Sequence, residues 1–387
     1  MNYFVDHIYV DNILSFNDIY IKLDKLTVLI GPNASGKSNF IKVLRFLKYI
    51  PSGMGINAIC KDILKLDTIE SFFNNPNKKA LIRIFFNINN KEYHYEIDFN
   101  SDGTILNEFV QEGSEILLQY NNKSSRRRPL KKDEITIKYK LENLDWGVII
   151  SNKSYPALPQ LEKNAHPDIF KIKEIIKNIV TYSFIPENVR TISDISYMDM
   201  LSYDGSNLAQ VLHTLLTYNR KIFLEIENIM KLLIPEIEEI NTPPVKEEQM
   251  KGKSQVYLAI REKGIKDPLK FANVSDGTLR ILAFVTALYL QNSLIAFEEP
   301  ENCVHPYLYE TLIDLYIKSP PQVIITTHSP YFLNKVKTEY IRLFTKKDAK
   351  TYVNEIKNIQ ETKALLEEGI SLGEIWYSGR LENNKIK

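Results

Sequence analysis

Apolar positions along this chain follow two rhythms that alternate in blocks. Leu26, Val28, Leu29 and Ile30 form a short apolar run of the kind a strand buried on both faces uses, and it stops at Gly31. Phe40, Val43, Leu44 and Leu47 then recur at helical spacing, which predicts a helix ending near Pro51-Ser52-Gly53. Buried-type strands return at Ser293 to Phe297 and at Gln322 to Ile325, and short ones are expected around Ile8 to Val10 and Tyr20 to Leu23. Between residues 80 and 150 the rhythm becomes twofold: Ala80 to Ile88 and Tyr93 to Phe99 flank Asn89-Asn90, and Tyr93, Tyr95, Ile97 and Phe99 alternate with polar residues. This predicts a half-exposed antiparallel hairpin, continued by strands near Ile105 to Val110 and Ile116 to Tyr120.

A helical block follows. Asp168 to Val180 carries Ile172, Ile175, Ile176 and Ile179 on one stripe, with a strand expected at Tyr182 to Ile185. Ser206 reads as the N-cap of a helical stretch through Leu208, Val211, Leu212 and Leu215 that continues with Phe223, Ile226, Ile229 and Leu233 until Pro235. The stretch lacks the sustained heptads of a long coiled-coil arm. Gln255 to Arg261 reads as a strand, and a further helix is expected from Ser275 to about Leu290. These blocks suggest an N-terminal lobe (1–160), a helical lobe (161–245) and a C-terminal lobe (246–387), parts of one composite α/β domain.

Composition adjusts this picture only slightly. Lys plus Arg is 49 and Asp plus Glu is 48, so a net charge of +1 gives no general affinity for nucleic acid. Cys60 and Cys303 are too few for a disulfide framework or a thiolate metal site, and their scarcity suits a reducing cytoplasm. The opening MNYFVDHIYVDN has acids where a signal peptide is basic and then apolar, and Gln291 and Asn292 break the most apolar stretch, so no leader and no membrane span are expected.

The candidate chemistry starts where the first strand ends. Gly31-Pro32-Asn33-Ala34-Ser35-Gly36-Lys37-Ser38 fits G-x-x-x-x-G-K-[ST], a phosphate-binding loop between strand and helix. Converging backbone N–H groups cradle polyphosphate, and Gly31 and Gly36 allow the turn and the close approach. Lys37 would reach the β- and γ-phosphates, Ser38 would complete a Mg²⁺ shell, and the helix points its positive end at the anion.

Three distal segments extend the site. Asn273 to Arg280 opens a helix, which places Ser275, Asp276 and Gly277 at a second helix N-terminus. The apolar strand ending in Glu298-Glu299 puts one carboxylate on the metal side and the next where it can serve as general base. Gln322 to Thr326 leads to His328, suited to a hydrogen bond with the γ-phosphate or to orienting the attacking water, and His305-Pro306 reads as a helix entry.

Together GPNASGKSNF, NVSDGTLRILAF, LIAFEEPENCVHP and VIITTHSP resemble the ABC-type ATPase heads of the RecF, SMC and OLD group, as Walker A, signature, Walker B and switch-histidine segments. The tail Leu372 to Gly379 resembles the ending of compact ATPases in that group. The resemblance implies a P-loop NTPase of ABC-ATPase-head type, a mixed-sheet core with an antiparallel β lobe and a helical lobe. It implies ATP and Mg²⁺ as ligands, with the nucleotide held by Gly31, Asn33, Ser35, Gly36, Lys37, Ser38 and Asn39, and the metal by Ser38 and Glu298. Glu299 and His328 would be catalytic. Ser275, Asp276 and Gly277 would act in trans, so that two copies join head to tail around shared ATP sites.

Three departures from the group's pattern are visible. Glu298 stands where many relatives have Asp, the Q-loop glutamine has no clear position, and the residues after His328 hold no Glu plus Asp-x-Asp set of a TOPRIM nuclease. A separate effector, a nuclease or toxin as in phage-defence systems, is therefore the expected partner. Between Asn121 and Lys140 eight basic residues face two acidic ones, and Arg126, Arg127, Arg128, Lys131 and Lys132 are the candidates for nucleic-acid contact in an alternative RecF-like reading. A nucleotide-sensing scaffold is the other alternative, against which Glu299 argues. Thr345-Lys346-Lys347-Asp348 mimics a guanine-reading T-K-x-D, but the signature, Glu299 and His328 have no place in a GTPase.

Overall fold

The computed structural model describes residues 3–121, 130–131, 133–143, 145–161, 164–245, 254–302, 304–356 and 360–381. The chain divides into two compact units: Met1–Ile179 with Thr338–Lys363, and Val180–Lys337 with Ala364–Leu381. The C-terminal segment thus crosses from one unit to the other twice.

In the first unit, eight antiparallel strands lie in the order Ile19–Lys22, Tyr3–Asp11, Ala80–Ile88, Lys91–Phe99, Ile105–Glu112, Glu115–Asn121, Glu134–Lys140 and Trp146–Asn152. Asn89 and Asn90 both take positive φ, which lets the Ala80–Ile88 and Lys91–Phe99 hairpin close in two residues with Ile84 opposite Tyr95. The alternation predicts a half-exposed hairpin, which holds along Ala80–Ile88, where every second residue is buried, and fails at the end of Lys91–Phe99, where Glu96 and Asp98 are 6% and 4% exposed. Arg83 pairs with Glu96 and Lys79 with Asp98 at 2.7 Å, so paired charges are covered on the polar face while Tyr95, Ile97 and Phe99 fill the apolar one.

A second sheet of this unit carries the phosphate loop. Leu26–Ile30 runs parallel to Ile341–Lys347, Val28 facing Ile341, and the latter pairs antiparallel with Lys350–Glu355. All five residues of Leu26–Ile30 are buried. The helix Lys37–Tyr49 turns Phe40, Val43, Leu44 and Leu47 inward, and Phe40 packs with Phe16 and Phe344 at ring distances of 6.5 and 6.3 Å.

In the second unit, Leu294–Glu298 and Gln322–Thr326 run parallel, Phe297 facing Ile325. The helix Asp276–Tyr289 lays Phe284 edge-on to Phe297 at 4.9 Å, and Phe184 packs at 5.1 Å from Phe284. Two helical expectations change, the first of them in the first unit. The helix expected over Asp168 to Val180 is Pro167–Lys177, and Ile179–Tyr182 is a strand buried at every position. β-branched Ile179 and Val180 fit either rhythm, and burial on both faces favours the strand. The stretch expected from Ser206 is two helices, Leu208–Tyr218 and Arg220–Leu233. Asn207, not Ser206, precedes the first, and Asn219 in a non-helical conformation separates them. Gln255 to Arg261 likewise becomes two short strands, Gln255–Val256 and Ala259–Glu262. No helix among the described residues is long and apolar enough to cross a membrane.

Candidate nucleotide site

The phosphate loop lies wholly in the first unit. Gly36 sits at φ 115° as N-cap of Lys37–Tyr49, and a Cβ there would overlap the Thr351 hydroxyl; at Gly31 it would overlap the Phe344 carbonyl. Only glycine fits either place. Lys37 is 7% exposed, and its ammonium donates to the Gly31 and Pro32 carbonyls at 2.6 and 3.1 Å. The cation is thereby folded over the loop that it would share with phosphate.

Two residues that the motif does not contain fasten the loop from behind. The Thr351 hydroxyl donates to the Ser35 carbonyl at 2.8 Å and lies 2.7 Å from the Ser15 hydroxyl, while Thr351 N donates to the Ser15 carbonyl at 2.8 Å. Asn39, expected at the nucleotide, donates its amide to Ser15 Oγ at 2.8 Å and belongs to this fastening. Asn33 and Ser38 are exposed at the mouth of the loop.

The loop's chemistry fits a polyphosphate. The buried Ser35 hydroxyl has no partner among the described residues, the helix N-terminus has no side-chain cap and no acid in its first turn, and a cation stands beside both. Unmet donors converging near a positive charge are what a phosphate satisfies.

The carboxylates singled out by the sequence lie in the second unit. Leu294–Glu298 ends at Glu298, whose Oε1 accepts a hydrogen bond from the Tyr203 hydroxyl at 2.8 Å. The next residue, Glu299, has φ 46°, in the left-handed region that costs a side chain-bearing residue of order 1 kcal/mol. It is held there by its N–H, which donates to the Thr326 carbonyl at 3.0 Å, and by the Asn302 amide, which donates to its carboxylate at 2.6 Å. The turn re-aims the carboxylate away from the strand, and Asn302 sets its direction.

Behind that turn lies a second carboxylate. Glu301 is 5% exposed, accepts from the Thr327 hydroxyl, and burial pushes its carboxyl above the usual range, with the Glu299 charge acting in the same direction. Thr327 Oγ1 also accepts from Ser329 N at 3.0 Å, so the Glu299 turn and the His328 turn are tied through one hydroxyl. His328 is half-buried directly after the strand Gln322–Thr326.

The signature segment is anchored to the same network. Ser275 caps Asp276–Tyr289 by accepting from Thr278 N at 3.1 Å. Arg190 pairs with Asp276 at 2.5 Å and donates to the Val274 carbonyl at 2.6 Å, which holds Ser275 to Gly277 at the surface. Arg280 on the same helix donates to the Asn302 carbonyl at 2.9 Å and connects the signature helix to the residue that orients Glu299.

Among the described residues, no group of three or more His, Cys, Asp or Glu could hold a metal. Arg126, Arg127, Arg128 and Lys132 lie outside the described residues, as does Cys303; Lys131 is exposed, its N–H donating to Glu134 at 3.0 Å.

The sequence profile of AAA_21, described as "AAA domain, putative AbiEii toxin, Type IV TA system", matches residues 26–334. No curated protein matches the chain. An SMC head bound to the C-winged helix domain of ScpA superimposes with a TM-score of 0.57 at 13% identity, covering 93% of this chain and 99% of that one. An SMC head with an extended coiled coil, bound to the C-terminal domain of ScpA from Pyrococcus furiosus, gives 0.51 at 12% identity, covering 95% and 99%. The fold is that of an ABC-type P-loop ATPase head, and the chain belongs to the AAA_21 family of AAA ATPase domains.

Proposed function

We propose that the protein is a Mg²⁺-dependent ATPase whose ATP-bound copies associate head to tail and, on closing, switch a separate effector protein. The observation that carries the reading is the Glu298-Glu299 strand end, with Glu299 turned out and oriented by Asn302, on a chain that also holds a phosphate loop. A nucleotide sensor needs no oriented base.

In this reading Lys37 and the loop N–H groups bind the β- and γ-phosphates, and Ser38 and Glu298 supply protein oxygens for Mg²⁺. The metal contributes neutralisation of the charge developing on the transferred phosphoryl group. Glu299 accepts the proton of the attacking water, and His328 orients that water or the γ-phosphate. Ser275 and the N–H groups near Gly277 close on the nucleotide of the partner copy. Supporting an effector in trans are the toxin context of the family description and the partner protein in both SMC-head structures. An antiphage role is part of the proposal, suggested by the likeness of the sequence motifs to those of ATPase subunits of phage-defence systems.

ATP turnover of the full chain, compared with Lys37→Ala and Glu299→Gln, tests the reading. Turnover in the wild type and a fall of at least about a hundredfold in both variants are expected, with ATP binding retained in Glu299→Gln. Tight ATP binding with no turnover, alone or with effector candidates added, would leave the sensor scaffold as the better description.

A further inference from the structure

The segment Leu372 to Gly379 has no part in the chemistry above, yet it ends at the switch histidine. We propose that the helix Leu372–Tyr377 is a positioning element for His328, acting through the Trp376 indole and the Gly373 backbone. Six residues make a marginal helix in isolation. Its start is set by a capping box, Ser371 N–H donating to the Glu374 carboxylate at 2.9 Å and Glu374 N–H to Ser371 Oγ at 3.4 Å. Its placement is set by what it lies on, since Ile375 and Trp376 are 1% and 9% exposed.

That support is the turn after His328. The Trp376 indole N–H donates to the His328 carbonyl at 3.4 Å, and Gly373 N–H donates to Asn334 Oδ1 at 2.6 Å. Between them Gly373 approaches so closely that a Cβ would overlap the Pro330 carbonyl. The one-turn helix Pro330–Leu333 is therefore held by Gly373 at its first residue and at the Asn334 that follows it, while Trp376 holds the His328 carbonyl before it. On the strand side Thr327 accepts from Ser329 N, so the histidine's backbone is held from two directions. A carbonyl fixed in this way sets the peptide plane next to the imidazole, and with it the direction in which the ring leaves the chain.

The junction is reached from solvent. A groove of about 640 Å³ runs along it, lined by His328, Pro330, Asn334, Trp376 and the exposed Tyr331 and Tyr377. Conservative changes at Trp376 can therefore alter the grip without opening the core.

The turnover readout below rests on the ATPase reading; the spectroscopic one does not. Trp376→Phe keeps an aromatic ring, smaller than indole, and removes the N–H, while Gly373→Ala pushes on the Pro330 carbonyl and leaves Trp376 intact. Full-length protein labelled with ¹⁵N-histidine carries six histidines, and the His328 ring signals are assigned by their loss in His328→Ala. Both variants are expected to move the His328 ring signals while those of His7, His94 and His166 stay in place. Both are also expected to lower kcat about 5- to 20-fold with ATP affinity unchanged within about twofold, and to add nothing in the His328→Ala background. His328 signals superimposable on the wild type, or a full loss of rate that persists without His328, would overturn the proposal. If Gly373→Ala fails to fold, Trp376→Phe decides. A wild type with no turnover defeats the ATPase reading, and the ring signals still decide the positioning role.

Discussion

Thr351 shows how much of a phosphate loop depends on residues outside it. Its side chain is 1% exposed and joins the Ser35 carbonyl to Ser15, so Thr351→Val keeps the shape and takes the hydroxyl's donor from the Ser35 carbonyl, while Ser15 keeps the Asn39 amide. The expected cost to loop geometry is about 1 kcal/mol, read as roughly fivefold weaker ATP binding in a nucleotide titration. Unchanged affinity would mean that the loop holds its form without this fastening. Tyr203 stands in the same relation to Glu298 from 95 residues away. With Glu298 on the metal side, as proposed, Tyr203→Phe is expected to raise the Mg²⁺ concentration needed for half-maximal turnover about three- to tenfold, because the hydrogen bond that orients this carboxylate is lost. A Mg²⁺ titration identical to the wild type would count against it.

Among the strands, Ile105–Glu112 carries the most exposed liability to pH. Glu108 is fully buried, accepting from Tyr95 at 3.0 Å, Ala157 N at 2.6 Å and Leu158 N at 3.3 Å. Burial outweighs these bonds and pushes its carboxyl up to about 7 from an ordinary 4.5. A raised carboxyl holds its proton in the folded state after the unfolded chain has released it. Its contribution to stability is thus fully present below pH 4.5 and is lost as pH rises toward about 7. Melting temperatures from pH 4.5 to 7.5 are expected to fall less steeply for Glu108→Gln than for the wild type, and parallel curves would refute the assignment. The helices carry the opposite lesson. The isoleucine stripe over Ile172 to Ile179 suits helix and strand alike, so the boundary at Asn178 could not be read from spacing.

For the molecule as a whole, the proposed head-to-tail association makes a prediction about mixtures. Lys37→Ala spoils a copy's own phosphate loop, and Gly277→Asp spoils the signature that it offers to its partner. Each variant alone should be inactive. In a mixture half the dimers are mixed, and each of these has one site with both parts intact, so turnover should return to about a quarter of the wild-type rate. A mixture as inactive as its components would exclude shared sites. The wild-type rate per copy should likewise rise with protein concentration until the dimer is saturated.

What was readable in advance was local. A P-loop is eight consecutive residues between a strand and a helix, a buried strand is five apolar residues, and a capped helix announces itself within one turn, so Gly31 to Ser38, Leu294–Glu298 and Ser275 could be placed from spacing alone. The resemblance to ABC-type heads rested on four such local segments, and the fold accords with it. The partners of these segments come from far along the chain and carry no motif of their own. Ser15 meets Thr351, Tyr203 meets Glu298, Arg280 meets Asn302, and Trp376 returns to His328. Hydrogen bonds between side chains remote in sequence follow from topology and from the need to satisfy every buried polar group, and periodicity records neither. The folded chain alone therefore determines which acid is aimed, which is buried, and what holds the histidine.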